Sequence, residues 1–185
     1  MAATPVYAFP YPGTGDQPHG PNQLKALADA VEAKFVTNDA AVAALQNPSD
    51  TAFNNEQVAT GSTSSTSYTA TLTGATAAGL SFTAPASGKV ILYNNGLLAA
   101  SATAQLAYCT IRVRTGAVVG SGSDVLAAAD DWAIATKEDF FEGKGRSKML
   151  SGLTPGAAYN VQQLFRSSSG TAQFTGREVI VQYIP

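Results

Sequence analysis

The segment EVIVQYI, residues 178–184, is apolar at almost every position. In a strand of period two, Val179, Val181 and Tyr183 point one way and Ile180 and Ile184 the other. KVILYNNGL, residues 89–97, has the same character, with Val90 and Leu92 opposing Ile91 and Tyr93. An antiparallel strand with one wet face alternates apolar and polar residues. Strands apolar on both faces need a core on one side and a second cover on the other, and a neighbouring subunit supplies such a cover. Ile180 and Ile184 are therefore the expected oligomer face.

Working outward, the period-two pattern extends over 68–185. Candidate strands are Tyr68–Thr73, Leu80–Thr83, Lys89–Leu97, Leu106–Arg114, Asp131–Thr136, Ser147–Leu150, Tyr159–Arg166, Ala172–Phe174 and Glu178–Ile184, separated by Gly, Pro, Ser and Asp clusters. The intervals leave no room for crossover helices. The pairing is then antiparallel and the architecture a sandwich of jelly-roll type. Residues 49–67, rich in Asn, Ser and Thr, read as a linker or a loop-rich lead into this domain.

The period differs over 21–48. Leu24, Leu27, Val31, Phe35, Asn38, Val42 and Leu45 follow at spacings of 3, 4, 4, 3, 4 and 3, a narrow stripe along one helix. Such a stripe suits a bundle seam, and a polar Asn38 within it would set register. A break with a second helix from Asp39 is the competing reading. The mixed spacing predicts little net supercoil, so this stalk would order the chains while the β domain supplies most of an oligomer's stability. Pro21 or Asn22 opens the helix and Asn47-Pro48 ends it.

Residues 1–20 hold Pro5, Pro10, Pro12 and Pro18, which argue against regular structure. Yet Val6, Tyr7, Phe9 and Tyr11 are denser in large apolar groups than free tails are. The expectation is an extended arm docking on a partner through these four residues; folding back on the chain's own helix is the alternative. The chain as a whole reads as mainly β: an arm (1–20), a helical stalk (21–48), a linker (49–67) and a β-sandwich domain (68–185).

Charged residues are 13% of the chain, about half the usual ~25%. A net charge of −2 offers no general attraction to nucleic acid or anionic membrane. No apolar run reaches the ~20 residues of a membrane span, and no secretory leader is expected from MAATPVYAFPYPG. One cysteine excludes an internal disulfide, and no Cys/His pattern suggests zinc. No metal or cofactor is expected.

Other residues able to carry chemistry have bland readings. Cys109 shares a face with Ala107, Ile111 and Val113, which makes it a small buried hydrophobe. Asp130-Asp131 and Glu138-Asp139 could pair as acid and base or hold calcium, but no ligand loop surrounds them. The glycine pairs at 13–15, 120–122 and 143–145 are turns, since none matches a phosphate-binding loop. Lys144, Arg146 and Lys148 form too small a basic group to argue nucleic-acid binding. Trp132, Tyr68, Tyr93 and Tyr108 could stack on sugars, with packing as the commoner role. His19 sits in a Pro/Gly turn and reads as a turn residue.

The opening TPVYAFPYPGTGDQPHGPNQLKALADAVEAKF resembles the amino-terminal segment of virion surface proteins from tailed bacteriophages of actinobacteria, where a YP-rich arm precedes a helix of similar pattern. FTAPASGKVIL (82–92), LSGLTPGAAYNVQQLFR (150–166) and GREVIVQYIP (176–185) resemble the β-sandwich modules ending such proteins. Those motifs carry no catalytic residue. The resemblance implies a homotrimer on the virion surface, assembled in the host cytoplasm. Its partners would be the major capsid protein or tail proteins, reached through the arm, with the β domain outward. Capsid decoration or a short head fibre suits the ~40 Å stalk slightly better than a minor tail protein. The competing classes are a module binding host surface glycans through Trp132 and the tyrosines, and a saccharide hydrolase using the acidic pairs.

Overall fold

The computed structural model describes residues 2–3, 10–11, 20–46, 52–102 and 104–184, with side chains from 25–38, 55–102 and 104–184. The chain forms two compact units, Met1–Pro48 and Ser49–Pro185.

In the first unit, strands β1 (Ala2–Ala3) and β2 (Pro10–Tyr11) pair antiparallel, Ala2 opposite Tyr11. The arm, expected to lack regular structure, thus contains one short ladder. Helix α1 runs from Gly20 to Gln46, about 40 Å at the usual rise. It continues through Asn38, so there is no break before Asp39. Lys25 and Asp29 pair at 2.8 Å one turn apart, a contact worth a few tenths of a kcal/mol. Thr37 Oγ1 donates to the Ala33 carbonyl at 2.8 Å, which satisfies a hydroxyl that would otherwise compete with the helix ladder.

The described residues of the second unit form ten strands: β3 (Ala52–Gln57), β4 (Gly61–Thr63), β5 (Gly79–Thr83), β6 (Val90–Ala100), β7 (Ala107–Thr115), β8 (Asp124–Leu126), β9 (Ile134–Thr136), β10 (Glu142–Leu150), β11 (Ala158–Ser167) and β12 (Ala172–Tyr183). They form two antiparallel sheets. One has the order β10-β6-β12-β3, with β4 also on β12; the other has β5-β11-β7-β8, with β9 also on β7. Neighbours distant in sequence, such as β6 beside β12 and β7 beside β11, make this a jelly-roll-like sandwich.

The inward positions follow the alternation. Val90, Leu92, Val179 and Val181 from one sheet meet Ile111, Val113, Val161 and Phe82 from the other. A second apolar cluster contains Leu98, Ala107, Cys109, Phe165, Ala172 and Phe174. Along β6, β11 and β12, the fully buried polar residues Asn94, Gln163 and Arg177 stand between the two clusters. Gln163 Nε2 donates to Asn94 Oδ1 at 2.8 Å and to the Asn95 and Glu178 carbonyls at 2.9 and 3.1 Å. Asn94 Nδ2 reaches the Cys109 carbonyl at 3.0 Å. The belt thus ties the two sheets together through groups that each need a partner when buried.

Several sequence expectations are corrected. Residues 49–67 are not a linker, because β3 and β4 lie there and pair with β12. Their polar residues face polar partners: Gly79 N donates to Asn55 Oδ1 at 3.3 Å, and Thr76 Oγ1 to Gln57 Oε1 at 3.0 Å. Gly61 allows β4 to press against the core, since a Cβ there would lie 2.8 Å from Ala75 Cβ and 2.9 Å from Leu72 Cβ. Tyr68–Thr73 is not a strand but holds isolated bridges, Thr69 to Phe165 and Thr73 to Ser62. Asp130–Trp132 is a 3-10 turn ahead of β9. Strand β10 begins at Glu142 rather than Ser147. The segments 172–174 and 178–183 belong to one strand, β12, whose register shifts between Thr175 and Glu178, and Ile184 lies past its end. Gly176, with φ +49°, allows that bulge. Inward positions are even before it (Ala172, Phe174) and odd after it (Arg177, Val179, Val181).

Candidate interaction surface

The register assigns the outer face of the β10-β6-β12-β3 sheet. Met149, Ile91 and Gln182 form one row; Ser147, Tyr93 and Ile180 the next; Gly145, Asn95, Glu178 and Glu56 the third; Gly143, Leu97 and Thr175 the fourth. Ile91, Tyr93 and Ile180 are half-buried, whereas Met149 is 62% and Leu97 38% exposed. The polar members bond within the face: Tyr93 Oη donates to Gln182 Oε1 at 2.9 Å and Asn95 Nδ2 to Glu178 Oε2 at 3.1 Å. Beside the fourth row, the loop leading into β10 exposes Phe140 and Phe141. Val58, also exposed, is tied to the row by its carbonyl, which accepts from Thr175 Oγ1 at 2.7 Å. These residues make two apolar groups, Met149, Ile91, Tyr93 and Ile180 on one side and Leu97, Phe140, Phe141 and Val58 on the other, with the polar third row between them. Among the described residues of the second unit no layer lies over this face. Single apolar side chains are ordinary on a surface; neighbouring apolar rows such as Met149–Ile91 and Tyr93–Ile180 mark a candidate interaction face.

Of the expected oligomer face, Ile180 lies at the centre of this surface. Ile184 is half-buried past the end of β12, where its N–H donates to the Lys89 carbonyl at 3.1 Å. Sequence reasoning missed Leu97, Phe140, Phe141, Met149 and Val58; the run Phe140-Phe141 amid charges was the available signal. On the helix, Leu27, Phe35 and Asn38 are exposed and Val31 half-buried. The side chains of Leu24, Val42 and Leu45 lie outside the described residues. So do Val6, Tyr7, Phe9 and His19, and the side chain of Tyr11.

The outer face of the other sheet is closed by the chain itself. Residues 116–121 and 129–130, on either side of edge strand β8, fold onto it, and outward-facing Thr110 and Leu164 are buried, at 0% and 2% exposed. Thr110 Oγ1 donates to the Ala129 carbonyl at 3.0 Å. Asn160 Nδ2 donates to the Gly116 and Ser121 carbonyls at 3.0 and 3.1 Å, while its Oδ1 accepts from Gly120 N at 3.0 Å. Arg166 clamps Asp130 in bidentate fashion at 2.5 and 3.1 Å, and Tyr68 Oη donates to the same carboxylate at 2.7 Å. Arg166, and secondly Tyr68, hold the Asp130 carboxyl below the usual range. Burial, then the bond to Asp130, raises the Tyr68 phenol.

These contacts also answer the chemical candidates. Asp130 is committed to the clamp, and among the described residues no group of three or more His, Cys, Asp or Glu side chains is arranged to hold a metal ion. Lys148 covers the Trp132 ring at 3.5 Å and Arg166 the Tyr108 ring at 3.8 Å, so cations occupy faces a sugar would use. Tyr93 lies on the opposite sheet, and the four aromatics make no single platform. Lys144 pairs with Glu142 at 2.5 Å, and Arg146 Nη1 donates to the Ala133 carbonyl at 3.4 Å, so the basic residues of β10 are engaged internally. Cys109 is buried, which pushes its thiol up and away from reactivity.

No protein-family model matches the chain, and no curated protein matches it. Among solved structures, Eiger TNF from S. frugiperda is similar at 8% identity and a TM-score of 0.37, covering 73% of this chain and 94% of that one.

Proposed function

We propose that this protein is a structural component of a tailed-phage virion surface, acting by assembly rather than catalysis. In this reading it forms a homotrimer and docks through arm residues 1–20 onto the major capsid protein or tail proteins. The β sandwich is displayed outward as capsid decoration or a short head fibre, in preference to a minor tail protein. The observation that carries the assembly part is the apolar patch of Ile91, Tyr93, Met149 and Ile180, with Leu97 beyond a polar row, on a sheet face that no described layer of the second unit covers. The exposed Leu27 and Phe35 of α1 add to it. The arm and helix motifs supply the virion part through their resemblance.

Two measurements test the reading. Sedimentation at micromolar concentration is expected to give a trimer; a monomer removes the assembly claim. Deleting residues 2–20 is expected to leave the oligomer intact and abolish incorporation into particles; normal incorporation removes the docking role of Val6, Tyr7, Phe9 and Tyr11.

A further inference from the structure

Arg177 is the bulkiest fully buried side chain of the sandwich, 1% exposed, and no ion pair among the described residues includes it. Burial lowers its pKa, yet a guanidinium keeps its proton at any ordinary pH. A buried charge of this kind costs folding free energy, and an apolar side chain of similar volume is often the more stable choice. What the arginine adds is a set of donors for main-chain carbonyls. Nη1 donates to the Thr76 carbonyl, and Nη2 to the Ala59 carbonyl at 2.6 Å and to that of Gln57 at 3.5 Å. These acceptors belong to two segments, the crossover from β3 to β4 and the loop before β5. Gln57 is half-buried and Ala59 and Thr76 lie at the surface, so without the arginine these carbonyls would turn to water and the two segments would lose their common tie.

The same two segments are cross-tied elsewhere. Thr76 Oγ1 donates to Gln57 Oε1 at 3.0 Å, Gly79 N to Asn55 Oδ1 at 3.3 Å, and Ser62 and Thr73 exchange backbone bonds of 3.0 and 2.8 Å. Thr175 Oγ1 holds the Val58 carbonyl at 2.7 Å. Meanwhile β3 lies at the edge of its sheet with β12 as its one ladder partner. Edge elements held mainly by polar contacts belong to the low end of a protein's local stabilities.

We propose that Arg177 is a latch that makes residues 52–63 and 73–79 one cooperative flap, opening together while the β6–β12 and β7–β11 ladders stay closed. Ala75 and Ala77 of the flap pack against the second apolar cluster and Ala78 belongs to the first, so its opening exposes one edge of the core while the central ladders hold. The latch depends only on contacts inside Ser49–Pro185 and stands apart from the virion reading.

Hydrogen exchange of the full-length protein, followed by mass spectrometry in rising sub-denaturing urea, tests it. In the unmutated protein, peptides covering 54–63 and 73–79 are expected to share one opening curve, ahead of 110–113 and 161–165. Arg177→Met, similar in bulk but without donors, is expected to accelerate both flap peptides about tenfold or more, together, and the central ladders less than about threefold. Equal acceleration everywhere, or separate curves for the two peptides, overturns the latch. Should Arg177→Met not fold, Thr175→Val removes only the Val58 tie. It is expected to speed both peptides by roughly threefold, and no change in either overturns the flap.

Discussion

On the outer face of β11 and β7, Leu164 and Thr110 are buried, and Thr110 is bonded to the Ala129 carbonyl of the connection after β7. On the outer face of β6 and β12, Leu97 and Met149 are exposed and Ile91, Tyr93 and Ile180 half-buried. Both surfaces belong to one sandwich and both carry leucines and aromatics. The difference lies in what the chain supplies as cover. The long connection after β7 adds β8 to the sheet's edge and folds residues 116–121 and 129–130 onto its outer face, fastened by Asn160, Arg114 and the Arg166–Asp130 clamp. Nothing from the described residues of Ser49–Pro185 is fastened in the same way across β6 and β12. A side chain's exposure in this fold is thus decided by the loop above it, and a face with apolar residues and no loop is where assembly is expected.

Matched truncations put the comparison at greatest risk. Leu164→Ala is expected to cost about 2–5 kcal/mol in urea unfolding, as for a buried leucine, and Leu97→Ala less than about 1 kcal/mol. Equal losses would erase the distinction between the two faces.

Ile180→Asp comes next. It is expected to weaken self-association by about 2 kcal/mol or more, as at the centre of an interface, while leaving the circular dichroism of the sandwich unchanged. Sedimentation against concentration reads this directly, and an unaltered oligomer would reassign the face.

The clamp on the covered face has a smaller, pH-dependent effect. The folded pKa of Asp130 is depressed, chiefly by Arg166. Its contribution is therefore present above the unfolded value of about 3.9 and is lost as pH falls through the lower folded value. Because the Asp130 side chain is 55% exposed, solvent screening keeps this below about 1 kcal/mol. The urea midpoint of the native protein is expected to converge on that of Asp130→Asn as pH drops from about 6 to about 2; a constant gap contradicts the clamp.

Smallest of all is Gly143→Ala on the open face. A Cβ there meets nothing within 4 Å, so a change in unfolding free energy within about 0.5 kcal/mol is expected. A larger effect, dependent on protein concentration, would show that a second copy packs at this position.

Much of the fold was legible wherever burial follows apolar alternation. Val179 and Val181 against Ile180, Val90 and Leu92 against Ile91 and Tyr93, and the register of Cys109 with Ile111 and Val113 all take the faces the pattern assigns. The helix was readable too, because its period is a local property. Of the candidate surface, Ile180 could be named in advance, whereas Leu97, Met149 and Phe140-Phe141 could not.

By itself, then, the sequence determined the strand faces, the antiparallel β class and the helical stretch, since each depends on spacing between near neighbours. Tertiary structure alone decided that 52–57 and 61–63 are strands, that the charged run from Glu142 is one, and that a bulge at Gly176 turns Arg177 inward. It also decided which outer face keeps a cover. These features rest on hydrogen bonds whose partners, such as Arg177 with Ala59 and Thr175 with Val58, lie more than a hundred residues apart. A polar side chain is as content in water as against a carbonyl, so only the folded chain reveals which of the two it has.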